Sequence, residues 1–201
     1  MPENVLFVPE CHVDTALARV LLAGRLTFID HKHGIPNVGK ALQSHADSGR
    51  GPRFVVGMVD KDKKFADVKT LRRFTQVVQA RTAAAQNSAK LACCYCIYQD
   101  PAHPTQYLVV LEPACDTWLF EAAQAAGLAL TDFGLPTTLP GFVEAVKDDE
   151  AEHDPRLEKL LQAIRRAQPT GYRELATFVA KVMDTGSELW QVRRPGTGPA
   201  A

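Results

Sequence analysis

The chain has 201 residues, and its 23 basic side chains balance 23 acidic ones. A net charge of zero gives no global positive field, so the composition argues against strong nonspecific attraction to nucleic acid and leaves only a local patch. No apolar run approaches the roughly 20 residues that span a membrane, and the polar start after Met1 lacks the features of a signal peptide. We therefore expect a cytoplasmic protein with no membrane partner, and an odd number of cysteines, five, fits reduced thiols.

The first half of the chain alternates strand-like and helix-like patterns. Strands are predicted near 4–9, 25–30 and 53–60, and helices near 14–24, 36–47 and 66–84. Such alternation predicts a mostly parallel central sheet flanked by helices, which is an α/β fold. The third helix is predicted from apolar residues at helical spacing, and this face is expected to pack on the sheet: Val68, Leu71, Phe74, Val77 and Val78.

The next part of the chain changes character. Two strand-like runs, 91–98 and 106–111, flank a proline-rich segment that favours a hairpin. Asp116 is a natural N-cap for the helix that follows, as Asp14 is for the first helix of the chain. The three cysteines of the first run are expected to be small buried hydrophobic residues, because zinc sites normally need two separated cysteine pairs.

The remainder of the chain is helical and strongly charged. Short helices are predicted at 140–146, 154–167 and 171–184, with Asp154 and Pro155 as cap and first-turn residue. The predicted organisation is an α/β domain over residues 1–134, a helical extension packed on it over 135–192, and a flexible tail over 193–201.

Acidic residues follow two of the predicted strands at the point where each strand ends. Glu10 follows the first strand, while Asp60 and Asp62 follow the third and share one side of an extended chain. Because neighbouring parallel strands present their carboxyl ends at one edge, three carboxylates are expected to converge there. Close carboxylates repel unless a cation or proton intervenes, and hard oxygen ligands suit Mg or Mn. A solvated turn explains a bare Asp-x-Asp equally well, since the pattern is short and common.

The chain contains, in this order, a predicted strand, Glu10, Asp14 and a helix, and further along a strand with Asp60 and Asp62. This order resembles the Toprim domain of topoisomerases, bacterial primases and OLD-type nucleases. Two further pieces, 112–120 and a glycine-containing turn at 33–42, are similar to segments of small stand-alone Toprim-like proteins of bacteria. Together these pieces cover residues 4 to about 126. The resemblance implies a Toprim-like fold and metal-assisted phosphoryl chemistry.

The resemblance also implies roles for individual residues. Glu10 becomes a candidate general acid or base, and it joins Asp60 and Asp62 as a ligand of Mg or Mn. Asp14 and Asp116 become supporting polar groups near the same edge. Basic residues in nearby loops are candidates for binding phosphate, namely Lys40, Lys61, Lys63, His31 and His33.

The function that follows is Mg- or Mn-dependent phosphodiester chemistry of a nuclease-like protein, with DNA, RNA or a small nucleotide as substrate. The main alternative is a noncatalytic scaffold that binds nucleic acid, a nucleotide or a protein partner, such as a component of a bacterial defence system. A haloacid-dehalogenase-type phosphatase and a nucleotide-sugar transferase also use Asp-x-Asp. The phosphatase motif has threonine or valine where this chain has a lysine at position 64. The transferase would need more than 201 residues to include the half that binds its acceptor.

Overall fold

The computed structural model describes residues 5–22, 28–48, 54–61, 65–82, 92–147 and 151–192. The strands in these ranges are β1 (Val5–Pro9), β2 (Phe28–Ile29), β3 (Phe54–Asp60), β4 (Gln76–Arg81), β5 (Cys94–Asp100) and β6 (His103–Glu112). The helices are α1 (His12–Leu21), α2 (Ile35–Ser48), α3 (Cys115–Ala125), α4 (Leu139–Val146), α5 (Pro155–Ala167) and α6 (Thr170–Val192). Short 3-10 turns occupy Phe65–Asp67, Lys69–Leu71, Leu130–Phe133 and Ala151–His153.

All six strands belong to one mixed sheet with the order β2-β1-β3-β6-β5-β4. The first four strands in this order are mutually parallel, and β5 and β4 continue the sheet in antiparallel pairing. The predicted α/β fold with flanking helices is confirmed, and the sheet, which was expected to be mostly parallel, is mixed and only partly parallel. After β1 the chain moves outward to β2 and then crosses back to β3 on the other side of β1. The strand order therefore reverses between β1 and β3, which makes this pair the topological switch point of the sheet.

Both faces of the sheet are covered, and for this reason β1 and β3 read as continuous apolar runs. Phe7 and Val8 are adjacent in β1, yet each is fully buried in a different apolar cluster, because alternate side chains point to opposite faces. The larger cluster packs the sheet against α1, α3, α4, α5 and α6. The smaller cluster packs it against α2 and the turn residues Val68 and Leu71. The C-terminal helices thus share one core with the sheet.

Gly57 in the middle of β3 permits the close approach of α2. A Cβ atom at this position would lie 2.9 Å from Cδ1 of Leu42 and 3.1 Å from Cδ1 of Leu108. The absent side chain is therefore a packing requirement between helix and sheet.

The helix predicted over 66–84 is wrong. Two 3-10 turns are followed by β4, which pairs antiparallel with β5. Val77 and Val78 belong to β4 and are 55% and 45% exposed, instead of packing on the sheet. The apolar residues of this pattern are buried only as far as Phe74. Beyond it the backbone forms hydrogen bonds with β5 and is therefore a strand.

Two other predictions for this half of the chain are confirmed, whereas the expected burial of its cysteines holds for Cys93 but not for Cys94 and Cys96. β5 and β6 form the expected hairpin, and Asp154 caps α5 with Pro155 at its first turn. Cys93 and Cys115 are buried, whereas Cys94 and Cys96 are only partly buried. Within the described ranges, no helix has the length and apolar character needed to cross a membrane. The predicted tail over 193–201 lies outside the described residues.

Candidate functional site

A pocket of about 340 Å3 opens at the carboxyl ends of β1 and β3, at the topological switch point of the sheet. Open α/β sheets bind their ligands at such a point, because the loops diverge there and leave a crevice. Acidic, histidine and cysteine side chains line most of it. The lining residues are Glu10, Cys11, His12, Val13, His31, His33, Gly34, Asp60, Cys115, Asp116, Val146 and Lys147.

Glu10 and Asp60 meet at this edge through a direct hydrogen bond. The register between β1 and β3 pairs Pro9 with Met58, and both acidic residues lie shortly after this pair of residues. The backbone amide of Glu10 donates to the carbonyl of Met58 at 3.0 Å, and the amide of Asp60 donates to Oε2 of Glu10 at 3.1 Å. The parallel order of the strands therefore brings the two acidic residues together at one edge of the sheet.

Asp60 also caps helix α3 from a neighbouring strand. The residue before this helix, Ala114, has no side-chain acceptor for the amides of the first turn. Oδ1 of Asp60 accepts the amide of Cys115 at 2.8 Å and supplies the missing partner. The prediction that Asp116 is the N-cap is wrong, because the helix begins two residues earlier than expected and places Asp116 in its first turn. There Oδ1 of Asp116 accepts the hydroxyl of Thr117 at 3.1 Å.

The prediction that Asp14 caps α1 is also wrong, since the N-cap is Cys11. The amide of Asp14 donates to Sγ of Cys11 at 3.5 Å, and the amide of Cys11 donates to Oδ2 of Asp14 at 3.3 Å. This reciprocal pair is a capping box in which the carboxylate reaches back from the third helical position. Asp14 has no solvent exposure, so its carboxyl group lies beneath the pocket.

Burial and mutual repulsion raise the pKa values of two acidic groups at the pocket. Burial, and then the Glu10 carboxylate, raise the pKa of Asp14 to about 7. Burial, and then Asp14, raise the pKa of Asp60 to about 9, although its hydrogen bond from Cys115 acts in the opposite direction. In the metal-free protein both shifts favour the protonated carboxyl groups. A cation bound at this edge would have to displace a proton before the full negative charge is available.

Three histidines also line the pocket. His12 is the first residue of α1, while His31 and His33 follow β2, the strand beside β1. One ligand atom from each ring lies within 4.8 Å of the other two. The rings of His12 and His31 meet edge to face with centroids 4.3 Å apart, and the rings of His31 and His33 are 4.5 Å apart. Burial, and then the two neighbouring histidines, lower the pKa of His31.

The sequence argument did not select His12 as a site residue, and it also missed Lys147 at the pocket. His12 could have been found with the signal that selected Glu10. It lies three residues after the end of β1, and His31 lies two residues after the end of the parallel neighbour β2, so the two share an edge. Lys147 has no such signal, because its place depends on the packing of α4.

The remaining predicted residues have different positions. Lys40 is exposed on α2 and lines a separate open groove with Gln43, Asp47 and Thr70. The Nζ atom of Lys61 donates to Oε1 of Glu112 at 2.7 Å, and Lys61 does not line the acidic pocket. Asp62 and Lys63 lie outside the described residues.

Comparison with protein-family models, curated proteins and solved structures finds no match for this chain. Conclusions about function therefore depend on the chemistry of the pocket. Glu10 and Asp60 both line the pocket, and the carboxylate of each accepts a backbone amide. The pair fits a hard cation such as Mg or Mn as a source of oxygen ligands. Among the described residues, the histidines alone bring three ligand atoms within 4.8 Å.

Proposed function

We propose that this protein is a Toprim-like enzyme that hydrolyses phosphodiesters with the help of Mg or Mn. The observation that carries the proposal is the hydrogen bond from the Asp60 amide to Glu10, which fixes the Glu10 carboxylate next to Asp60 beside a pocket of about 340 Å3. The strand order around them supports it, because the pocket lies where open α/β sheets bind ligands.

The two carboxylates have distinct roles in this proposal. Asp60 serves as an oxygen ligand whose orientation is fixed by the amide of Cys115. Glu10 lies at the pocket and transfers a proton to or from the attacking or leaving oxygen of the substrate. A bound divalent ion would neutralise charge on a nonbridging phosphate oxygen.

Positive charge for a phosphate group is available at the pocket from Lys147, which is exposed. The predicted phosphate-binding role of His31 needs a protonated ring, and its lowered pKa opposes protonation. We therefore assign the phosphate contact to Lys147 in preference to His31. Lys40 and Lys61 are less suited to this role because neither lines the pocket.

The proposal is tested by hydrolysis of a chromogenic phosphodiester, single- and double-stranded DNA, and RNA. Metal-stripped protein is assayed with and without added Mg or Mn. The Glu10→Gln variant keeps the size and polarity of the side chain but cannot exchange a proton, so turnover should fall by about 100-fold to 10,000-fold. Glu112→Gln is the matched control, because Glu112 also ends a strand of the sheet but pairs with Lys61 away from the pocket. Equal turnover in both variants would refute the assigned role of Glu10.

The noncatalytic alternative is favoured by one observation. Asp60 already stabilises the start of α3, and this capping role explains its position without any chemistry. On this reading the pocket binds a nucleotide, a nucleic acid or a segment of a protein partner without converting it. Metal binding without cleavage of any of the substrates above would favour the scaffold over the enzyme.

A further inference from the structure

We propose that His12, His31 and His33 form a binding site for a transition-metal ion such as Zn2+. The inference is independent of the phosphodiester activity, because it concerns which ion these side chains bind. Imidazole nitrogens favour Zn, Co, Ni and Cu, whereas Mg prefers oxygen ligands. Three histidines are also a sufficient protein ligand set for a zinc ion that keeps one position open.

The backbone holds the three rings close together. The amide of Lys32 donates to the carbonyl of Pro9 at 2.9 Å, and the amide of Gly34 donates to the carbonyl of Glu10 at 3.2 Å. These bonds attach the segment after β2 to the end of β1, immediately before His12. Nδ2 of Asn37 donates to the carbonyl of His33 at 2.7 Å and anchors the same segment to α2. The cluster is therefore built on fixed strand ends, and not on a free loop.

Its dimensions are close to those of a zinc site. Nitrogen atoms around a tetrahedral zinc lie about 3.3 Å apart, as follows from zinc–nitrogen bonds of about 2.0 Å. The ligand atoms of the three histidines lie within 4.8 Å of one another, so they need to approach by at most about 1.5 Å to reach this spacing.

A carboxylate lies beside His12, outside the cluster, at ion-pair distance and without a hydrogen bond to the ring. Nδ1 of His12 lies 3.4 Å from Oε1 of Glu152, and this carboxylate is held from its other side by Arg19 at 2.9 Å. Metal-binding histidines typically present one ring nitrogen to such a carboxylate and the other to the ion. Because Nδ1 is the ring nitrogen nearest to this carboxylate, we assign Nε2 of His12 to the metal.

His31 supplies an unsatisfied nitrogen. Its Nε2 atom is buried and has no hydrogen-bond partner among the described residues. The backbone of Glu10 forms a hydrogen bond with the same ring. A buried nitrogen without a partner is unfavourable, and a metal ion would satisfy it. Together with the carboxylate at His12, this arrangement has both the ligands and the orienting groups of a histidine metal site.

The site is tested by titrating metal-stripped protein with Zn2+ against a chromophoric chelator, and by the visible spectrum of the Co2+ form. We expect one equivalent to bind, with excess Mg2+ unable to displace it. His33→Gln is the first variant, because His33 is exposed and its replacement leaves the core intact. It should weaken Zn2+ binding at least 10-fold, while His45→Gln on α2, outside the pocket, should leave it unchanged.

Glu152→Gln tests the orienting carboxylate and should weaken Zn2+ binding about 10-fold to 100-fold, since loss of such a partner typically has this effect. Glu10→Gln should retain Zn2+ binding even if it loses all phosphodiester turnover, which separates failure of this proposal from failure of the proposed function. The proposal is overturned if no Zn2+ binds, if His33→Gln and His45→Gln bind equally, or if Mg2+ competes at similar concentration.

Discussion

The amide of Asp60 donates a hydrogen bond to Glu10, a residue 50 positions earlier in the chain, at 3.1 Å. The carboxylate of Asp60 accepts the amide of Cys115, 55 positions later, at 2.8 Å. One residue therefore connects the ends of two parallel strands with the beginning of a helix. This connection gives the acidic edge a structural role beside its proposed chemical one, and substitutions can separate the two roles.

Replacing Asp60 tests the structural role. Asp60→Ala removes the acceptor of the Cys115 amide, and an unsatisfied buried amide costs about 1–3 kcal/mol. Asp60→Asn keeps an oxygen in the same position and avoids that cost. We expect the free energy of unfolding, measured by chemical denaturation, to be lower for the alanine variant by about this amount. Equal stability of the two variants would mean that the hydrogen bond contributes nothing to the fold.

The raised pKa values of Asp60 and Asp14 predict a pH-dependent stability. In the unfolded chain both groups lose their protons near the ordinary value of 3.8, whereas the folded protein keeps them until about 7 for Asp14 and about 9 for Asp60. The native state binds more protons in this window, so stability falls as pH rises from about 4 to about 9. The melting temperature of the metal-free protein, measured across this range in a chelator, should decrease accordingly.

The same experiment has a matched pair of variants. Asp60→Asn removes one of the two shifted groups and should flatten the decrease in melting temperature with pH. Asp132→Asn makes the same chemical change at an exposed site and should leave the profile as in the unmodified protein. Identical profiles for both variants would place the source of the pH dependence elsewhere in the molecule.

Mg or Mn should stabilise the folded protein through the Glu10–Asp60 pair. An ion that binds only the native state stabilises it by about 2.7 kcal/mol at 100 times its dissociation constant. We expect the melting temperature to rise with Mn2+ and the rise to be reduced in Glu10→Gln, as measured by calorimetry. Glu112→Gln should keep the full response. A His31→Gln, His33→Gln double variant should also respond to Mg2+, because magnesium prefers carboxylate oxygens over imidazole.

Gly57→Ala should destabilise the packing of α2 on the sheet. The new methyl group would lie 2.9 Å from Cδ1 of Leu42, and overpacking of this kind typically costs about 1–3 kcal/mol. Leu42→Ala alone should also destabilise by leaving a cavity, but the double variant should lose less than the sum of the two. Denaturation of the four proteins gives the coupling energy. Simple additivity would show that the two sites do not contact each other.

The sequence alone predicted the parallel part of the sheet and the meeting of Glu10 with Asp60. β1 and β3 are short apolar runs followed by acidic residues, and the helices between strands require parallel order. Parallel neighbours end at one edge, so this half of the pocket follows from local pattern and chirality. The start of α5 was predicted for a similar reason, because Asp154 and Pro155 form a local capping signal.

The other features of the fold and the pocket depend on contacts between segments that are distant in the sequence. The apolar spacing from Val68 to Phe74 is compatible with a helix, and only the hydrogen bonds to β5 make the following residues a strand. Likewise, the carboxylate of Asp60 caps α3 and Glu152 approaches His12 because the folded chain brings together residues that are far apart in sequence. Local propensity describes how a segment behaves by itself. The partners of its polar groups, and with them the capping role of Asp60 and the histidine cluster, depend on the tertiary structure.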